Sequence, residues 1–127
     1  MKYLLDTNIF LEILLKQDKS EKCKMFINDN EGDICITDFA LHSIGIILFR
    51  NNLFDVFNQF VKNFVSRIYI LTLDKSGYSS IPRLAKKYKL DFDGSYQLTV
   101  ADEFNLTFIT LDSDFMNLSK ESRIINL

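Results

Sequence analysis

The residues best placed to do chemistry are aspartates that follow apolar runs: Asp6, Asp112 and Asp114, joined by the pair Asp91 and Asp93. Asp6 closes the run Tyr3-Leu4-Leu5, and after Thr7-Asn8 the residues Ile9, Phe10, Ile13 and Leu14 recur at the spacing of one helical face. Asp112 and Asp114 follow a second apolar run, Leu106 to Thr110, while Asp91 and Asp93 introduce the helical pattern of Leu98, Ala101 and Phe104. In an open parallel sheet, ligands bind outside the carboxyl ends of the strands, so these separated segments can offer carboxylates to one crevice. Carboxylate oxygens without histidine or cysteine companions favour hard cations, which points to magnesium or manganese rather than zinc. A cation held this way lowers the pKa of a bound water and neutralises charge on a phosphodiester. The plainer reading is that Asp6 or Thr7 caps the helix after it, and that Asp93 does the same for its own helix.

The elements that must position these groups alternate along the chain. Short apolar strands are expected at Tyr3 to Leu5, Ile34 to Ile36, Ile68 to Leu73, Leu106 to Thr110 and Ile124-Ile125. Helical patterns fill the intervals: one to about Lys16, one capped by Ser20, one begun by Thr37-Asp38, apolar nearly throughout and expected to be buried, and one carrying Phe54, Phe57, Phe60, Val61 and Phe64. A further helix starts near Ser80 and Pro82 and ends in Lys86-Lys87-Tyr88-Lys89. Such alternation predicts an α/β domain of three layers, α/β/α, with a mainly parallel sheet of four or five strands covered on both faces.

At 127 residues and 47% hydrophobic content the chain fits a single domain spanning 1–127 with one substantial core. Its apolar runs fall far short of the roughly 20 residues that cross a bilayer, and no signal-like amino terminus is evident, so the expectation is a cytoplasmic protein without membrane contact. Cys23 and Cys35 lack the spacing of a zinc or redox motif and read as buried thiols. A net charge of −2 supplies no global field for nucleic acid, so any such role needs local help.

Other candidates weigh less. The Lys86-Lys87-Tyr88-Lys89 cluster could contact a phosphate backbone, yet basic residues at a helix end complement its dipole in any case. The phenylalanine stripe is packing surface at helical period. His42, the single histidine, could serve as a general base beside Ser43. Neither a nucleophile elbow nor a glycine-rich phosphate loop is present.

The segments Leu5-Asp6-Thr7-Asn8, Ile36-Thr37-Asp38-Phe39-Ala40-Leu41, Leu90-Asp91-Phe92-Asp93 and Ile109-Thr110-Leu111-Asp112-Ser113-Asp114-Phe115 together resemble the PIN domain family over essentially the whole length. The resemblance implies a compact α/β/α domain, often a magnesium-dependent endoribonuclease, and in many bacterial and archaeal members the toxin of a toxin–antitoxin pair. It implies RNA as substrate, an antitoxin-like protein as partner, and a homodimer as an accessible assembly. Asp6 and Asp112 match two of the family's acidic positions, whereas the other two fall on Ser43 and Gly94, with Asp93 one residue early. The expected site is therefore catalytic Asp6, Asp93 and Asp112, with Asp6, Asp93, Asp112 and Asp114 as metal ligands for weakly held magnesium or manganese. Two outcomes follow: a ribonuclease (a phosphodiester hydrolase) of low activity, or a catalytically degenerate module that binds RNA or protein.

Overall fold

The computed structural model describes residues 1–118 and 123–127. Among these residues five strands form one parallel sheet: β1 (Tyr3–Leu5), β2 (Ile34–Thr37), β3 (Tyr69–Leu71), β4 (Thr107–Thr110) and β5 (Ile124–Asn126), in the order β3-β2-β1-β4-β5. The helices are α1 (Thr7–Leu14), α2 (Ser20–Asp29), α3 (Asp38–Arg50), α4 (Phe54–Asn63), α5 (Ile81–Tyr88) and α6 (Phe92–Glu103).

Side chains alternate across a strand, and the core divides accordingly. Leu4, Cys35 and Phe108 join one buried cluster with Ile81 of α5, Leu90, and Leu98 of α6. Leu5, Ile34, Ile36 and Ile109 join the other, with Ile9 and Phe10 of α1, Cys23 of α2, Ile44 of α3 and Phe60 of α4. Sliding β1 by one residue would bring Tyr3 into the site of Leu4, or Asp6 into that of Leu5, both now 0% exposed. A carboxylate without its partners in such a site is costly, which keeps the register and hence the position of Asp6.

The strand order places a topological switch at the centre. From β1 the chain moves outward through β2 to β3, then returns to lay β4 on the opposite side of β1. The register pairs Leu5 with Ile109, and the Asp6 N–H donates to Ile109 O at 2.9 Å, so the carboxyl ends of β1 and β4 lie side by side.

In two helices burial runs against composition, and the first was expected to be buried. The apolar α3 buries only the face of Ala40, Ile44 and Leu48, and leaves Ile46 and Phe49 exposed. The helix enclosed on all sides is α6, buried continuously from Gly94 to Ala101 despite its polar residues. Its hydroxyls are satisfied locally, since Ser95 Oγ donates to Asp91 O and Thr99 Oγ1 to Ser95 O, each at 2.7 Å. Ser20 is the first residue of α2 rather than its cap, which is Lys19. Cys23 and Cys35 are buried free thiols, as expected.

Candidate active site

A cavity of about 180 Å³ opens at the switch point, lined by residues from β1, α1, α3, α6 and the turn after β4, among them Asp6, Ser43, Asp93, Gly94, Gln97 and Asp112. Asp6 follows β1 in extended backbone and α1 starts at the next residue. Its carboxylate makes none of the side-chain hydrogen bonds of a helix cap, and only the backbone of Thr7 at the first position of α1 acts on it. It is 7% exposed, and each oxygen has a donor from elsewhere: Gln97 Nε2 to Oδ1 at 2.9 Å, and Thr110 Oγ1 to Oδ2 at 2.8 Å. The plain capping role therefore does not account for it. Burial pushes the Asp6 carboxyl above its usual range; the Gln97, Thr110 and Thr7 hydrogen bonds pull it down, and the nearby Asp112 charge raises it further.

Thr110 connects the two acids. While donating to Asp6, its Oγ1 accepts the Asp112 N–H at 3.0 Å, so the end of β4 sets the spacing between them. Asp112 is half-buried, and its Oδ1 accepts the Asp114 N–H at 2.9 Å, an Asx turn that fixes the side-chain direction. Asp114 is exposed and is not among the residues lining the cavity; the structure gives it that backbone contact instead of a place beside Asp6.

On α6, Asp91 is the cap, its Oδ1 accepting the Gly94 N–H at 2.8 Å. Asp93 thus sits in the first turn, free of capping, and lines the cavity; partial burial and then the Asp91 charge raise its carboxyl above the usual range. Ser43 and Gly94 line the same cavity, so both positions face the acids. A Cβ at Gly94 would stand 2.9 Å from Phe115 Cζ and 3.1 Å from Asp91 Oδ1, which leaves no ready space for a side chain there. His42 faces elsewhere, into an apolar groove with Leu41, Ile46, Phe49 and Phe57.

Sequence reasoning missed Gln97 and Thr110. Thr110 reads in sequence only as the last residue of an apolar strand, and Gln97 stands one turn after Gly94, a polar residue with no capping or turn duty in a helix otherwise read from its apolar positions. Its Oε1 is buried and has no hydrogen-bond partner among the described residues.

The donors in the cavity are oxygens: carboxylates, the Ser43 hydroxyl and carboxamides of Asn8 and Gln97. That chemistry fits a hard cation. Among the described residues no group of three or more histidine, cysteine or acidic side chains forms a cage. Magnesium needs no such cage, because it keeps several waters and is commonly bound through one or two carboxylates plus substrate phosphate. Beside the cavity, sharing Asn8 and Asp112 with it, a wider polar groove of about 860 Å³ runs past Glu12, Asp18 and Lys19.

A PIN domain family model matches residues 3–121. Among solved structures, the chain is similar to a toxin–antitoxin complex from Klebsiella pneumoniae, with TM-score 0.79 and 17% identity over 98% of this chain and 97% of that one. It is similar to a DNA-bound VapBC from Salmonella typhimurium, with TM-score 0.79 and 20% identity over 99% and 98%. It is also similar to the sarcin-ricin loop cleaving toxin VapC20 of Mycobacterium tuberculosis, with TM-score 0.75 and 10% identity over 92% and 95%. At these identities the likeness is one of fold. No curated protein matches the chain by sequence.

Proposed function

Because this chain belongs to the PIN domain family, we propose that it is a toxin-type PIN ribonuclease whose cation site is reduced to Asp6, Asp112 and Asp93, with magnesium or manganese held weakly and RNA cleaved slowly. The observation that carries this reading is the convergence of all three acids on one 180 Å³ cavity at the β1/β4 switch point. Asp6 and Asp112 would hold the ion, and Asp93 would orient the attacking water. The bound ion would supply charge neutralisation at the phosphate and a more acidic water. Thr110 holds Asp6 and the Asp112 backbone in one arrangement, so the chain itself fixes the distance over which substrate phosphate must fit. The broad polar groove sharing Asn8 and Asp112 suits an extended single strand.

Partners follow from the same reading. Neighbours of this fold are described as toxin–antitoxin and VapBC complexes, which supports a small antitoxin-like protein as partner here. No described helix is long and apolar enough to cross a membrane.

A second reading has its own observations: Gln97 already satisfies Asp6, and Phe115 fills the space at Gly94, as in a module that binds RNA or protein without cutting. Incubating the chain with single-stranded RNA and manganese, beside Asp6→Asn, separates the two. Slow cleavage lost in the variant supports the nuclease; RNA binding without cleavage in either protein supports the module.

A further inference from the structure

We propose that Gln97 is an internal competitor for the cation: its amide N–H holds Asp6 Oδ1 from the cavity lining, and so raises the cation concentration needed to fill the site. This rests on the reading of the cavity as a cation site. Gln97 is 2% exposed, comes from the enclosed stretch of α6 and lines the acidic cavity. With Gln97 Nε2 on Oδ1 and Thr110 Oγ1 on Oδ2, the buried Asp6 already has a donor on each oxygen. Each oxygen keeps a second acceptor position, but an ion that approaches Oδ1 from the cavity side, where Gln97 lies, gains only the difference between its own attraction and that of the donor it displaces.

The two donors are not equivalent. Thr110 is anchored on both sides, giving its proton to Asp6 and accepting the Asp112 N–H. Gln97 has no such second anchor, because its Oε1 lacks a hydrogen-bond partner among the described residues. Ser95 and Thr99, its polar neighbours on α6, return their hydroxyls to backbone carbonyls, so Gln97 alone of the three spends its polar group on the site. A side chain meant to fix Asp6 would be held at its far end. One held only through Asp6 is released when Asp6 takes another partner, and its terminal amide torsion is broad enough to let it turn aside. The carboxamide N–H thus stands in for positive charge while no ion is present.

The test is a manganese titration by calorimetry on metal-stripped wild type, Gln97→Leu and Asp6→Asn. Gln97→Leu should bind manganese about tenfold more tightly, the worth of one hydrogen bond to a charged group; Asp6→Asn should bind none. Equal or weaker binding by Gln97→Leu, with wild type binding measurably, overturns the competitor role and leaves the cation site standing. No binding by either protein overturns both. Should Gln97→Leu not fold, Gln97→Met takes its place. In wild type, the Gln97 side-chain amide resonances should shift on saturation with magnesium, and unchanged resonances in a saturated sample would contradict the proposal.

Discussion

Phe115 occupies the space in front of Gly94: its Cζ lies 2.9 Å from where a Cβ on Gly94 would stand. The ring is 2% exposed and packs edge-on against Phe108 at 5.2 Å, so it cannot withdraw without disturbing the core. An acid at position 94 and a phenylalanine at 115 are therefore alternatives. Gly94→Asp should cost about 1–3 kcal/mol, the range for overpacking a filled site. In Gly94→Asp/Phe115→Leu the total loss should be smaller than the sum of the single losses, as expected for residues in contact. Urea unfolding of the four proteins measures this, and strict additivity would show that the ring does not obstruct position 94.

Ser43 lines the cavity from α3 and is half-buried. Ser43→Glu should fold and should bind manganese about tenfold more tightly than wild type, since it adds both a ligand and a charge for a hard cation. The larger manganese-induced rise in Tm checks it. A variant that folds but gains no manganese response would mean that position 43 does not reach the ion.

Asp6 gives a pH dependence whose sign can be worked out for the metal-free protein. Burial, against the Gln97 and Thr110 hydrogen bonds, raises its carboxyl in the folded state above the unfolded value of about 3.9. Between those two values the folded state binds the proton more readily, so stability from this group is present at low pH and lost as pH rises. Asp6→Asn lacks that loss, at about 1.4 kcal/mol per pKa unit of the shift. In chelator, its advantage in Tm should grow as pH rises from below about 4 and level off once pH has passed the raised folded-state value. A pH-independent difference would contradict the account.

Cys35 is 0% exposed and burial pushes its thiol up to about 11; Cys23 is equally enclosed and is also raised by burial. Both lack the thiolate that reacts. Ellman's reagent at pH 8 should modify neither in the native protein and both after denaturation. Rapid native labelling would show that these core positions open readily.

Much of the fold was legible because period and punctuation agree. Each strand is short, bounded and followed by a helical pattern, and the acids after β1 and β4 do lie at neighbouring strand ends. The helix α3 was harder. Its apolar residues surround the whole helix, and periodicity cannot say that Ile46 and Phe49 would remain uncovered. The reverse holds for α6, where Ser95 and Thr99 disguise burial by bonding to their own helix. Gln97 escaped notice because its partner is 91 residues away in sequence, a pairing that only the assembled sheet creates. Gly94 reads in sequence as an acid replaced by glycine, but the contact with Phe115 is visible only in three dimensions.

The central claim, that one ion binds weakly at the Asp6 and Asp112 carboxylates, is tested most directly by counting bound manganese with electron paramagnetic resonance in wild type, Asp6→Asn and Asp112→Asn. The account predicts a single ion per chain at saturation, with each substitution abolishing it while the protein stays folded. Two tightly bound ions in wild type, or binding that survives both substitutions, would contradict it.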